Sequence, residues 1–440
     1  MKKILVRGPA LSRSGYGEQT RFALRALRTR EDIFEIYLAN IPWGQTGFIT
    51  ADDEERAWID SLLLKTMQYS HFEQGFDMSL QVTIPNEWEK IAPVNVGYTA
   101  GIETSKVAPV WLQKGDEMDK IIVVSNHSKQ VYETTTCKAV KEFEDGRQET
   151  EDNYRLQTKI AAVNYPVRNF EPKELEEVEL DYEFNFLAVA QMGPRKNLDN
   201  TIKWFVEEFK DEEVGLVVKT NMANDSRADQ EHVQHILSSF LSPYQDRKCK
   251  VYLLHGTISE EQLTWLYQHE KIKSLVTLTH GEGFGLPIFE AAYNGLPIIC
   301  PLWSGHTDFL YAPNKRGKNR PLVAKVEYTI QQVPPEAVWP GVIEADAMWA
   351  VADESSYKRQ LREVYGNHVR FKSQAKRLQK RLIKNFSEED IYAEFIEELW
   401  PAPAWNSENP ALALWGSMQD SSSEFNVESW LNDLDLETHD

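Results

Sequence analysis

No apolar run in this sequence approaches the roughly 18 residues that a membrane-spanning helix needs, so no transmembrane segment is expected. Cysteine is scarce. Cys137, Cys249 and Cys300 are odd in number and far apart, which argues against a disulfide framework and against a cysteine-based zinc site. The opening MKKILVRGP lacks a long apolar stretch and a small-residue cleavage site; it reads as a first strand rather than a signal peptide, and a cytoplasmic placement is expected, with a peripheral association with a membrane left open. The one Asp-x-Asp, Asp433 to Asp435, stands in the acidic far end, away from any expected crevice. No metal is expected, so Arg and Lys would have to do a metal's work on a charged substrate.

What is present is enough apolar residue, 42% with 11% aromatic, to bury real cores, and at 440 residues the length suggests two large domains. The net charge of -20 is uneven. Residues 401–440 carry Glu408, Asp420, Glu424, Glu428, Asp433, Asp435, Glu437 and Asp440 with no Lys or Arg, whereas the first 30 residues set eight cations against Glu18 alone. Overall acidity disfavours nonspecific binding to polyanions.

From residue 184 onward, strands alternate with helices of 3.6 period: FNFLAVAQ, NLDNTIKWFVEEF, VGLVVKT, ADQEHVQHILSSFL, KVYLLHG, SEEQLTWLYQHE, SLVTLTH, PIFEAAYNG and LPIICPL. That order predicts a doubly wound parallel sheet, which binds ligands at the carboxyl ends of its strands. The first half is similar in kind, with strands at KKILVRGP, FEIYLAN, VNVGYT and IIVVSNHS and helices at EQTRFALRALRT and SKQVYETT. Residues 141–159 are charged and read as an exposed excursion. The prolines of VNYPVRNFEP, 163–172, mark an interdomain linker. Domains are thus expected at 1–168 and 173–385, with a helix at 386–400 crossing back to the first. The tail at 401–440 is expected to be disordered, its FNVESWLNDLDL serving as a docking peptide for a protein partner.

In HGEGFGLPIFEA, Gly281, Gly283 and Gly285 form a turn between a strand and a helix that opens at Leu286 and Pro287. Glycine amides there, with that of Phe284, can approach a ligand closely, and a helix N-terminus favours phosphate. Glu282 in the turn and Glu290 inside the helix can face one crevice over a span of about 10–12 Å and accept hydrogen bonds from sugar hydroxyls. The plainer account leaves Glu290 complementing the helix dipole and Glu282 solvated. A phosphate beside two acids needs cations, and GPRKNLDN supplies Arg195 and Lys196 at the end of the first strand of the same sheet; otherwise they are an exposed basic pair. Lys219, ending VGLVVK, is a third cation or simply the point where that strand surfaces.

Gly15, Tyr16 and Gly17 lack the third glycine of a dinucleotide fingerprint and read as a mobile loop facing the crevice. On the next helix, Arg21, Arg25 and Arg28 share one face, read as a solvated stripe, with contact to an anionic acceptor or a membrane surface as the functional alternative. Glu103, in YTAGIETS, is placed to approach an acceptor. His127, in VSNHS, reads as a helix-start histidine. Ser304, His306 and Asp308, packed within five positions of one loop, do not make a hydrolytic triad.

HGEGFGLPIFEA resembles the Glu-x7-Glu signature of the retaining glycosyltransferases of family 4, whose GT-B fold sets two Rossmann-like α/β domains face to face. The likeness extends through FLAVAQMGPRKNL, LVVKT, YLLHGTISEEQLTWLY and NGLPIICPLWSGHTDFL, and more loosely through NVGYTAGIETSKVAPVW and MDKIIVVSNHS. The resemblance implies a nucleotide diphosphate-sugar donor, UDP- or GDP-linked, held by the second domain with no permanently bound cofactor. Glu282 would contact the transferred sugar and Glu290 the ribose. Arg195, Lys196 and the amides from Gly283 to Leu286 would bind the diphosphate, and the segment from Gly15 to Gly17 would close over the donor. The pattern departs where the usual Gly-Arg before Lys is compressed to Gly193, Pro194, Arg195, Lys196; where Glu103 stands in the region of a first-domain histidine; and at Asp308, where Glu is frequent.

The expected activity is transfer of a sugar, with retention, to an acceptor hydroxyl. The acceptor stays open among a glycan, a lipid head group, a protein and a modified nucleobase. A nucleotide-sugar epimerase and a non-catalytic binding protein of the same fold are the alternatives.

Overall fold

A computed structural model describes residues 1–44, 46–50, 53–70, 75–142, 148–176, 178–313 and 316–400; the tail expected at 401–440, with its docking peptide, lies outside them. Residues 1–399 form one compact unit. It is built on two six-stranded sheets whose strands all pair in parallel.

The first sheet contains β1 (Lys2–Gly8), β2 (Phe34–Asn40), β3 (Met78–Val82), β4 (Val94–Thr99), β5 (Lys120–Val123) and, after the antiparallel pair β6 (Cys137–Glu142) and β7 (Gln148–Tyr154), β8 (Ile160–Ala162). Its order is β2-β1-β3-β4-β5-β8. Helices α1 (Gly15–Arg28), α2 (Glu54–Ser70), α3 (Pro109–Gly115) and α4 (Asn126–Thr134) connect its strands. Both faces of the sheet's centre are covered, so β3, β4 and β5 are buried throughout, polar Ser79, Gln81 and Asn95 included.

The second sheet runs β11-β10-β9-β12-β13-β16, from β9 (Asn185–Val189), β10 (Gly215–Thr220), β11 (Lys250–His255), β12 (Ile272–Val276), β13 (Ile298–Pro301) and β16 (Ala324–Val326). Helices α5 (Leu198–Phe209), α6 (Arg227–Leu241), α7 (Glu260–Gln268) and α8 (Leu286–Tyr293) link them. Phe186, Phe205 and Phe209 anchor a core between β9 and α5. Strand order reverses between β9 and β12, so the crevice at this switch point is where a ligand belongs. Arg195 and Lys196 follow β9, and the turn from Gly281 to Gly285 follows β12, one on each side of it.

Two small antiparallel pairs interrupt the sheet's end: β14 (Tyr311–Pro313) with β15 (Asn319–Pro321), and β17 (Tyr328–Gln332) with β18 (Met348–Ala352). Helices α9 (Glu354–Gly366), α10 (His368–Asn385) and α11 (Glu388–Leu399) follow. On α11, Phe395 packs edge-on to Phe22 of α1 at 5.1 Å and against Tyr98 of β4, so this helix returns to the first half.

Three readings are corrected. Gly15, Tyr16 and Gly17 are the first turn of α1, not a mobile loop: the Ser14 hydroxyl accepts from the Gly17 amide, the usual role of serine as an N-cap. The charged excursion at 141–159 is exposed or half-buried over 150–159, as expected, but it is not a plain loop: it contains β7, paired with β6. The arginine stripe of α1 is solvated only at Arg28. Arg21 is 8% exposed and donates to the Ala10 and Ser12 carbonyls, Arg25 pairs with Glu18 and Glu55, and Arg28 lies over the Trp58 ring. Helical spacing put the three on one face correctly; what it could not show is that α2 supplies Glu55 to Arg25 and Trp58 to Arg28.

Candidate active site

Helix α8 starts from Gly285, whose φ of 93° is costly for any other residue. Pro287 follows without an amide to leave unpaired. The amides of Gly283, Phe284, Gly285 and Leu286 have no hydrogen-bond partner among the described residues, leaving a row of donors at a helix N-terminus. The Phe284 ring is turned away into a cluster with Tyr165, Phe289 and Phe309, so only its backbone is available to a ligand. The glycines also admit the other half. A Cβ on Gly281 would fall 2.2 Å from the Glu103 carbonyl oxygen, and one on Gly283 would fall 2.5 Å from that of Ala100.

Glu282, Arg195 and Lys196 converge. The Glu282 carboxylate accepts from Lys196 Nζ at 2.6 and 2.8 Å and from Arg195 at 3.2 Å, and its own amide donates to Ser304 Oγ. Burial alone would raise its pKa; the two cations overcome that and hold it at about 2. Arg195 also reaches Glu103 of the first half, at 3.1 Å. Two cations and two carboxylates therefore balance within one cluster, half-buried except at the buried Glu282, which spends its oxygens on the cations rather than facing an open space.

Glu290 stands apart from this cluster. Its carboxyl accepts from the Tyr267 hydroxyl at 2.9 Å, and burial, helped by the charges of Glu260 and Glu18, pushes its pKa up to about 8. It is thus mostly protonated at neutral pH, a hydrogen-bond donor as well as an acceptor. It lines a cavity shared by both halves, with Glu18 and Arg25 of α1, Arg168 of the linker, and Glu260 and Tyr267 of α7. Arg168 spans the halves, 3.3 Å from Glu18 and 3.3 Å from Glu260. Lys219 belongs to this side of the crevice: burial lowers its pKa, while Asp225 and Glu290 act the other way, and it does not join Arg195 and Lys196.

Tyr16 donates to or accepts from Thr99 Oγ1 at 2.7 Å and packs edge-on to Trp43, which fixes the start of α1. Next to it, Arg13 and Asp225 both lie within 4 Å of where a Gly47 side chain would begin, so the halves meet there as well. His127 packs edge-on to Trp303 at 5.1 Å, with Nε2 buried and unpartnered. Ser304, His306 and Asp308 have separate partners: the Glu282 amide, the Pro301 carbonyl, and Asn126 with Asn164.

Sequence reasoning missed Glu18, Arg25, Arg168 and Glu260 as cavity residues, and it missed the β17–β18 hairpin. The hairpin joins the site to the first half. The Ala350 and His280 backbones exchange a hydrogen bond beside Arg195, while the Ser105 amide, two residues past Glu103, donates to the Met348 carbonyl at 2.9 Å. Lys106 pairs with Asp346 at 2.8 Å, and Val342 is buried among first-half residues Trp88, Val107 and Trp111. The signal available was the apolar run AMWAVA at 347–352, bounded by turn residues.

No protein-family model matches the chain. Over 118 residues it is 33% identical to the serotype-specific mannosyltransferase WbdA of Escherichia coli, a stretch covering 26% of this chain and 13% of that protein. The chain therefore matches about an eighth of the length of these curated relatives. Among solved structures it is similar to sucrose-phosphate synthase from Thermosynechococcus elongatus, with a TM-score of 0.56, 14% identity, and coverage of 90% of this chain and 97% of that one. It is equally similar to Anabaena HepE in complex with UDP-glucose, with a TM-score of 0.56, 13% identity, and coverage of 91% and 99%. At such identities the likeness is one of fold, and the fold is GT-B, two parallel α/β halves facing a crevice.

Proposed function

We propose that the protein is a retaining glycosyltransferase that moves a sugar from a UDP- or GDP-sugar to an acceptor hydroxyl. The observation that carries this reading is the convergence of Arg195, Lys196 and Glu282 beside the unpaired amides of Gly283 to Leu286, at the switch point of the second sheet. Local identity to a mannosyltransferase and a GT-B fold also seen in a UDP-glucose complex support it.

In this reading the diphosphate lies on the amides at the start of α8 and draws Arg195 and Lys196 to itself. Glu282, released by its cations, turns to the hydroxyls of the transferred sugar. Glu290 takes the ribose, and its proton lets it donate to one hydroxyl while accepting from the other. The bond from the anomeric carbon to the leaving phosphate oxygen breaks first, and Arg195 and Lys196 stabilise the charge that grows there. The acceptor oxygen bonds to the anomeric carbon on the same face, and its proton passes to the departing phosphate. No enzyme nucleophile and no metal take part. Glu103, poised beside Arg195, faces the acceptor, and the start of α1 from Gly15 to Gly17 covers the donor together with Lys219 and Asp225. Closure of the halves excludes water and so limits donor hydrolysis.

Domains at 1–168 and 173–385, joined through α11 at the first domain, are the units that would close. No helix among the described residues is long and apolar enough to cross a membrane; a cytoplasmic location is part of the proposal. Screening UDP- and GDP-sugars for release of nucleotide diphosphate, with and without glycan and lipid-linked acceptors, tests the reading. Acceptor-independent conversion of the donor to its epimer would instead mark an epimerase, and no turnover of any donor would count against both enzymes.

A further inference from the structure

Helix α10, HVRFKSQAKRLQKRLIKN, holds seven Lys or Arg and no acid, in a chain whose net charge is -20. Its inner face is accounted for: Phe371, Ala375, Leu378 and Leu382 are buried, Lys372 donates to the Gly295 carbonyl and Gln379 to that of Tyr293, so the helix lies along the back of α8. The outer face is different. Arg370, Lys376, Arg377, Lys380 and Lys384 are all exposed, and beyond a 3.9 Å approach of Arg370 to Glu363 none of them pairs with an acid among the described residues. Crowding of like charge registers within the patch, since Lys372 is held below the ordinary lysine value by burial first and then by Lys376 and Lys273. Two apolar side chains bracket the cations on the same face, Val369 at 84% exposed and Ile383 at 47%.

We propose that the outer face of α10 is a docking surface for an anionic phospholipid bilayer. A row of unpaired cations flanked by exposed aliphatic side chains matches an interface where phosphate head groups lie beside acyl chains. The cations span Arg370 to Lys384, about 20 Å at 1.5 Å per residue, long enough to meet several head groups at once. A nucleic acid offers the charge but nothing for Val369 and Ile383. The interaction is peripheral and reversible, and it weakens as salt screens the charges.

The test is co-sedimentation of the full chain with vesicles of phosphatidylcholine alone and of phosphatidylcholine with 30 mol% phosphatidylglycerol, a composition of about one anionic head group in three chosen to give a strong surface potential. The expected result is binding to the anionic vesicles only, lost in high salt. Lys376→Glu with Lys380→Glu should lower the vesicle partition by more than about tenfold, and Val369→Ser should lower it at unchanged net charge. These positions are exposed, so an unchanged melting temperature shows that the variants are folded. Failure of the wild type to bind anionic vesicles, equal binding by the double variant, or binding to a single-stranded oligonucleotide in preference to vesicles would overturn the proposal. None of these outcomes bears on donor turnover, so the glycosyltransferase reading stands or falls separately.

Discussion

Arg195, from the loop after β9, reaches across the crevice to within 3.1 Å of the Glu103 carboxylate. Its other nitrogen is 3.2 Å from Glu282, so one guanidinium joins the two halves of the molecule and two of the candidate substrate-binding acids. An incoming diphosphate must compete with both carboxylates for that cation. Glu103→Ala is therefore expected to tighten binding of free nucleotide diphosphate by about three- to tenfold, on the scale of a lost competing ion pair, while lowering transfer by about tenfold or more. Calorimetric titration with UDP and GDP checks the first effect and a transfer assay the second. Weaker nucleotide binding in the variant would show that Glu103 supports the cation rather than competing for it.

Glu290 titrates far above an ordinary carboxylate, at about 8, because it is buried beside Glu260 and Glu18. A carboxyl whose folded pKa is raised holds its proton where the unfolded chain has lost it, so stability falls as pH rises from the ordinary carboxylate range through about 8. Glu290→Gln removes that dependence. Thermal melts should show the variant gaining on the wild type between about pH 5 and pH 8, by on the order of a few kcal/mol, with the gap fixed above that window and closed below it. Parallel curves across the whole range would contradict the assignment.

Asp229 accepts from the amides of Met222, Ala223 and Asn224, all in the loop that carries Asp225 to the crevice, and bonds to His255 at the end of β11 at 2.7 Å. Burial would raise its pKa, but these partners hold it at about 2. Asp229→Ala leaves three partly buried amides without an acceptor and should cost about 1–3 kcal/mol. Because the folded pKa is depressed, the stability this carboxylate contributes is present above the ordinary aspartate value and lost as pH falls toward about 2. Chemical denaturation at neutral pH gives the cost; a loss under about 0.5 kcal/mol would show that water replaces the carboxylate.

The β17–β18 hairpin makes a fourth expectation, through Val342 and its first-half neighbours Trp88, Val107 and Trp111. Val342→Asp would bury a carboxylate with no partner and should detach the hairpin from the first half, lowering stability by about 3 kcal/mol. Faster proteolysis between residues 333 and 347 reports detachment directly. Unchanged cleavage there would mean that Ser105 and Lys106 hold the hairpin without it.

The second sheet was legible because β9, β10, β12 and β13 are almost wholly buried and each strand from β9 to β12 is followed by a helix, so period and order agree. The turn around Gly281 and the pair Arg195 and Lys196 were legible as well, since glycine, proline and charge at strand ends have local meanings. What escaped was set by partners distant in sequence. Arg21, Arg25 and Arg28 form a stripe whatever covers it, and only α2 and the linker decide that Arg25 is paired and half-buried while Arg28 stays exposed. Gly15 to Gly17 read as a loop because glycine is a poor helix former, a preference overridden by the Ser14 cap and by Tyr16 reaching Thr99. Glu290 on its helix was expected, yet its protonation depends on Glu18 and Glu260, which approach it from other elements.

The central claim is that Glu282 exchanges its cations for the transferred sugar when the diphosphate arrives. Release of nucleotide diphosphate from the accepted UDP- or GDP-sugar, measured for wild type and Glu282→Ala alongside calorimetric binding of the free nucleotide diphosphate, tests it most directly. The account predicts that Glu282→Ala loses turnover by about 100-fold or more while binding the nucleotide at least as tightly as the wild type, its cations freed. Turnover undiminished in Glu282→Ala would contradict it.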